Sequence, residues 1–159
     1  MTDEVKKPET AKYIVQELHE PDIIGPDIRQ MYEHFAKRIL WIDGNEAPGA
    51  FQMNTAWYKA AQPRDPLFPE HTHDYDELIG FFGCDPEDPY NLHAEIEFWL
   101  DGDMHRIDRS SLIFVPGGMK HNPLRLLSVE QPIFHFSVVT SQEYSGETAY
   151  NVPVETPAE

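Results

Sequence analysis

His71-Thr72-His73-Asp74-Tyr75-Asp76-Glu77 and, further along the chain, Pro116-Gly117-Gly118-Met119-Lys120-His121 are the stretches whose reading decides the fold. Residues two apart on a β-strand point to the same face, about 6–7 Å along it. His71, His73 and Glu77 share that parity, so one strand is expected to present all three. The Pro-Gly-Gly turn starts another strand, whose first inward residue is His121. Three imidazoles and one carboxylate at these spacings can converge on one divalent metal ion.

Outward from these motifs, short apolar runs alternate with turn residues, and 14 prolines favour an all-β domain over a helical bundle. Strands are predicted at residues 51–60, 71–83, 94–100, 104–107, 111–115, 121–129 and 132–140, with Asp101-Gly102-Asp103 as a hairpin turn. That spacing reads as a sandwich or barrel over residues 51–140. Residues 1–50 read as an extension with a frayed polar start. In it Ile28, Met31, Tyr32, Phe35 and Ile39 predict one amphipathic helix at about 27–40, capped by Asp27 and lying against a sheet or a partner subunit. Residues 141–159 form a polar, proline-spotted tail.

Composition narrows the class. A chain of 159 residues with 40% hydrophobic and 12% aromatic content has the material for one folded domain. Lys and Arg total 12 against 28 for Asp and Glu, a formal charge of −16. Such a charge repels phosphate backbones and anionic head groups, so neither nucleic acid nor a membrane surface is an expected partner. A small anionic ligand would need a metal or a local arginine to hold it. Cys84 is the single cysteine, so no intrachain disulfide forms. The first residues lack an apolar secretory core, no run approaches the ~18 apolar residues of a membrane span, and a cytoplasmic location is expected.

His71-x-His73-x-x-x-Glu77 resembles the first motif of the cupin family, and Pro116-x-Gly118-x-x-His121 resembles its second. The likeness covers residues 51–140. It implies an antiparallel jelly-roll barrel with a metal inside, held by His71, His73, Glu77 and His121. Three positions depart from the family pattern. Asp65 stands where a glycine usually precedes the first histidine, Ser110 replaces the glycine that opens the second motif, and Arg125 replaces an asparagine. The stretch between the motifs is also long, with a Pro- and acid-rich loop at 84–93. The donor set suits divalent iron, manganese, nickel, copper, cobalt or zinc, and on an octahedral ion leaves about two positions for water or substrate.

Other residues are candidates on parity alone. Arg125 shares a face with His121, so it is expected either to reach the interior and grip a substrate carboxylate or to pair with one of the many acids. On 51–60, Gln52, Asn54, Ala56 and Tyr58 share one face and Phe51, Met53, Thr55 and Trp57 the other. If the polar set faces the metal, Gln52, Asn54 and Tyr58 line the pocket; if the apolar set does, Trp57 and Met53 are its walls and the polar set lies at an interface. His135 is a candidate proton shuttle or a hydrogen-bonded core histidine, and Tyr75 a candidate pocket residue. The 85–90 loop reads as a stiff lid without a calcium pattern.

The expected function is that of a metal-dependent enzyme acting on a small carboxylate- or carbonyl-bearing metabolite, by lyase, decarboxylase, isomerase or dioxygenase chemistry. Tyr58 or His135 would handle a proton, and Arg125, Gln52, Asn54 and Tyr75 would bind substrate. The alternative is a non-catalytic small-molecule-binding or sensor protein. A homodimer is expected, joined through sheet edges or outer faces.

Overall fold

Strand alternation sets the architecture. Along Met53–Tyr58 the residues Asn54, Ala56 and Tyr58 are buried between more exposed neighbours, and along Ile133–Val139 every odd-numbered residue is buried. Asn91–Leu100 buries Leu92, Ala94, Ile96 and Phe98 in the same way. Each of these three strands therefore has one face committed to an interior.

The protein is described here from a computed structural model covering residues 6–144, with the backbone alone at 64–66. A 3₁₀ turn at Glu9–Tyr13 and helix α1 (Pro26–Glu33) precede β1 (Ala36–Ile42), β2 (Met53–Tyr58), β3 (Gln62–Leu67), β4 (Glu77–Phe82), β5 (Asn91–Leu100), β6 (Asp103–Arg109), β7 (Ser111–Val115), β8 (His121–Val129) and β9 (Ile133–Val139). They form two antiparallel sheets, ordered β1-β2-β9-β4-β7 and β3-β8-β5-β6. Between the sheets, Tyr58, Ile79 and Phe81 from the first meet Ile96, Phe98, Leu124 and Leu126 from the second. No helix among the described residues is long and apolar enough to cross a membrane.

Several sequence expectations are corrected here. The helix stops at Glu33 instead of continuing to residue 40, and Gly25 with Pro26 starts it, Asp27 sitting in its first turn. The backbone N–H groups of His34 and Phe35 turn back to the Met31 and Tyr32 carbonyls, and the chain then pairs with β2 from Ala36↔Tyr58 onward. The helical period through Phe35 and Ile39 is overridden by this ladder, which buries Ala36, Arg38 and Trp41. The barrel thus begins at residue 36, inside the segment assigned to an extension. β3 was not foreseen because Gln62-Pro63-Arg64-Asp65-Pro66-Leu67 contains two residues without a ladder donor. At the other end, Gln52 N–H bonds the Ser141 carbonyl (2.8 Å) and Gly44 N–H the Gln142 carbonyl (2.9 Å), so the start of the tail docks on the barrel. The remainder of the tail expectation lies outside the described residues.

Candidate metal centre

The two motifs are tied together by their backbones. His71 and His121 exchange both backbone hydrogen bonds, at 3.1 and 3.2 Å, as an isolated antiparallel bridge. Gly118 N–H reaches the His73 carbonyl at 2.8 Å, and Gly117 N–H reaches Asp76 Oδ1 at 2.8 Å. The glycines are required for separate reasons. Gly118 has φ +85, a left-handed conformation that costs a side chain strain. A Cβ on Gly117 would sit 2.3 Å from the Asp74 carbonyl oxygen. Gly117→Ala is therefore expected to destabilise the fold by about 1–3 kcal/mol and to loosen the histidine cluster. Urea denaturation checks the first effect, and an unchanged midpoint would refute it.

One strand does not carry His71, His73 and Glu77, contrary to the parity argument. Residues 71–76 are irregular, and only Glu77 lies in β4. The side chains still converge, because each histidine is held by a local carbonyl. His71 Nδ1 lies 2.9 Å from the Pro69 carbonyl, His73 Nδ1 2.8 Å from that of Tyr75, and His121 Nδ1 3.0 Å from that of Met119. A carbonyl only accepts, so each Nδ1 carries a proton and each Nε2 is the atom turned toward the cluster, that of His73 sharing its own proton with Glu77 when no metal is bound. The three imidazoles offer ligand atoms within 4.8 Å of one another, and all three are buried.

Glu77 completes the cluster. Its Oε2 is 2.9 Å from His73 Nε2 and 3.1 Å from His121 Nε2, the latter off the hydrogen-bond line. Among the described residues, His71 Nε2 is buried with no hydrogen-bond partner. A buried nitrogen without a partner is costly unless something coordinates it. The donor set, with three neutral imidazole lone pairs and a carboxylate, fits a divalent transition ion.

The electrostatics follow from burial and pairing. Burial pulls His71 down to about 4, the His121 and His73 charges acting the same way against the Pro69 carbonyl and Glu77. Burial is the largest single influence on His73 and lowers it, but the hydrogen bond to Glu77, that carboxylate's charge and the Tyr75 carbonyl together raise its pKa. Burial alone would push the Glu77 carboxyl up. The close His121 imidazole and the hydrogen bond from His73 hold it at about 2 instead.

Beside Glu77 lies a cavity of about 50 Å³, room for ~3–4 waters or a ligand of few heavy atoms. Asn54, Tyr58 and His135 line it, so the polar face of β2 is the inner one. His135 is stacked on Tyr58 (ring centroids 4.6 Å) and on Phe81 (5.1 Å), and its Nδ1 lies 3.1 Å from the Gly80 carbonyl. Burial, helped by the Arg38 charge, lowers the imidazole to about 4 against the Gly80 bond, so it is neutral at pH 7. Gln52 is buried but is not part of the cavity wall. Tyr75 is not on the wall either and stacks on His73, centroids 4.2 Å apart.

Arg125 is not where parity put it. Leu100 pairs with His121 and Phe98 with Leu124, so three steps along β8 oppose two along β5. The extra residue reverses the alternation, helped by the left-handed Asn122 (φ 69). Leu124 and Leu126 turn inward, and Arg125 faces out, 3.5 Å from Glu97. The same bulge puts Asn122 on the cavity wall. Sequence reasoning also missed Arg38, Ser137 and Tyr144. Arg38 was assigned to a helix, Ser137 has no motif, and Tyr144 arrives from the tail to lie 6.3 Å from the His73 ring. The 85–90 loop is no lid. It is exposed, does not line the cavity, and is tied at Pro89 by the Ser110 hydroxyl.

Known structures share this barrel. A recombinant oxalate oxidase in complex with glycolate is similar at a TM-score of 0.50 and 12% identity, over 91% of this chain and 65% of that one. The fold is that of a cupin. An RmlC-like cupin from Shewanella frigidimarina NCIMB 400 matches at TM-score 0.39 and 14% identity, over 58% of this chain and 68% of that one. The DMSP lyase DddQ from Ruegeria pomeroyi DSS-3 matches at 0.46 and 16%, over 78% and 54%. No family model and no curated protein matches the sequence. At these identities the cupin likeness concerns the fold, and enzymes are among its bearers.

Proposed function

We propose that this cupin is a metal-dependent enzyme acting on a small metabolite that bears a carboxylate or carbonyl group. The observation that carries the reading is the buried convergence of the His71, His73 and His121 Nε2 atoms with Glu77 at the edge of a small polar cavity. A divalent ion held by these four residues would supply Lewis acidity toward a substrate oxygen. His135, neutral and with Nδ1 committed to Gly80, has Nε2 as its proton-accepting atom. Ser137 and Asn122 provide polar groups that orient a small ligand. The oxalate oxidase that shares the fold binds glycolate, a small carboxylate, and this supports the ligand class proposed here. Lyase, decarboxylase, isomerase and dioxygenase chemistry all fit such a centre.

The test is elemental mass spectrometry on protein purified without added metal, followed by turnover assays chosen by the element found. About one equivalent of a first-row transition metal, with activity lost on chelation and restored by that metal, is the expected result. Metal without turnover of any small acid would turn the reading to a non-catalytic binding protein. Absence of metal uptake would sink the metal centre altogether. We place the protein in the cytoplasm, where Cys84, a free exposed thiol, would stay reduced.

We also propose that two copies pair through the outer face of the five-stranded sheet. Three cross-strand rows cover it: Trp57, Phe134 and Phe82; Thr55, Phe136, Gly80 and Leu112; Met53, Val138, Leu78 and Phe114. None of these is charged, the one charge on the face being Lys37 of β1 at the end of the first row, and Leu112 and Phe114 are more than half exposed. Gly80 lets the Phe136 ring lie flat, since a Cβ there would meet it at 2.3 Å. A chain carrying −16 repels its copies elsewhere. Four strands at ~4.8 Å spacing give a face ~20 Å on a side, roughly 400 Å² in projection and about half of the ~800 Å² per partner of a standard interface. Sedimentation is expected to show a dimer that Phe114→Lys converts to monomer. A monomeric parent protein would refute the pairing.

A further inference from the structure

A directional hydrogen-bond chain crosses β1, β2 and β9 and ends at the cavity. Arg38 is buried at its head, with Glu20 3.3 Å from its Nε and the Tyr32 and Trp41 rings at 4.5 and 5.5 Å. A guanidinium only donates, so the 3.1 Å contact from Arg38 Nη1 fixes the Asn54 amide with Oδ1 toward it. Asn54 Nδ2 therefore faces Ser137 Oγ, at 2.6 Å, and donates to it. The Ser137 hydroxyl accepts that bond and keeps its own proton for donation. No acceptor among the described residues takes it. Ser137 lines the same cavity as Glu77, on the wall shared with Asn54. A donor polarised by a cation two bonds upstream is stronger than an isolated hydroxyl.

We propose that Ser137 is a ligand-binding residue whose hydroxyl donates to an acceptor oxygen of the small molecule, with Arg38 and Asn54 as the positioning residues that aim it. The inference rests on the carboxylate or carbonyl reading above and adds the group that recognises the oxygen. A purely structural chain, by contrast, would hold three strands together and have no effect on ligand affinity.

Calorimetric titration of glycolate into the metal-loaded protein, with metal content measured alongside, separates these cases. Ser137→Ala is expected to stay folded and keep its metal, melting somewhat below the parent because Asn54 Nδ2 loses its acceptor, and to bind glycolate about tenfold more weakly. Ser137→Thr retains the hydroxyl and is expected to bind within about threefold of the parent. Equal glycolate affinity in Ser137→Ala and the parent overturns the inference and leaves the metal reading standing. Failure of the fully loaded parent to bind glycolate overturns both the carboxylate reading and the inference.

Discussion

Alanine at His121 is expected to abolish stoichiometric metal binding, and with it any turnover that depends on the metal, while the barrel remains folded. His121 sits at the entrance to β8, its ring 4.3 Å from that of His71 and 4.8 Å from that of His73, so its loss opens one side of the cluster. Losing an outer partner of a metal ligand commonly costs 10–100-fold in affinity, and loss of the ligand itself is expected to exceed ~100-fold. Glu77→Gln keeps the side-chain shape but removes the charge that faces His73 and His121, and is expected to act in the same direction. The β8 core residues Leu124 and Leu126 are untouched by either change, so circular dichroism should report a folded protein. Elemental analysis of His71, His73, Glu77 and His121 variants checks the result. Full metal occupancy in all four would remove these residues from the centre.

Acid is expected to destabilise the metal-free protein strongly between pH 6.5 and 4. Burial brings His71 and His135 from 6.5 to about 4, so in that window the unfolded chain takes up a proton at each site that the folded chain does not. Stability rises with pH wherever the unfolded state binds more protons, so here it falls as acid is added, by on the order of 3 kcal/mol per histidine. Glu77, held at about 2 against 4.5, adds a further loss as pH falls through that lower range. His73 acts in the opposite sense. Its raised pKa contributes stability that is whole below 6.5 and fades as pH climbs through the folded value. The optimum is therefore near neutrality. Urea midpoints at successive pH values in the presence of a chelator measure the profile, and His135→Phe is expected to remove about half of its slope between pH 6.5 and 4. A flat profile in the parent would contradict this account.

The histidine cluster was legible from motif spacing and a Pro-Gly-Gly turn, although the strand parity argued for it does not hold at 71–76, and β7 and β8 were bounded as the structure has them. What escaped depended on tertiary pairing. Ala36–Ile42 carries good helix formers, and only the β2 ladder makes it a strand. Gln62–Leu67 is disguised by its prolines. Arg125 was misplaced because a bulge is a relation between β5 and β8, invisible in either strand alone. The polar inner face of β2 was one of two readings until β9 paired with it. Arg38 and Ser137, far apart in sequence, become neighbours of Asn54 only across three strands.

The Glu77–His73 contact has a bearing on which ions the centre admits. In the metal-free protein the carboxylate and the imidazole hold each other, at 2.9 Å and out of water. An arriving cation competes with a proton for His73 and with a hydrogen bond for Glu77. Magnesium and calcium favour oxygen over imidazole nitrogen and recover little from three histidines. First-row transition ions recover a great deal. Under the metal-centre reading proposed above, this buried acid–base pair would weigh against hard ions before coordination number or cavity shape has any say.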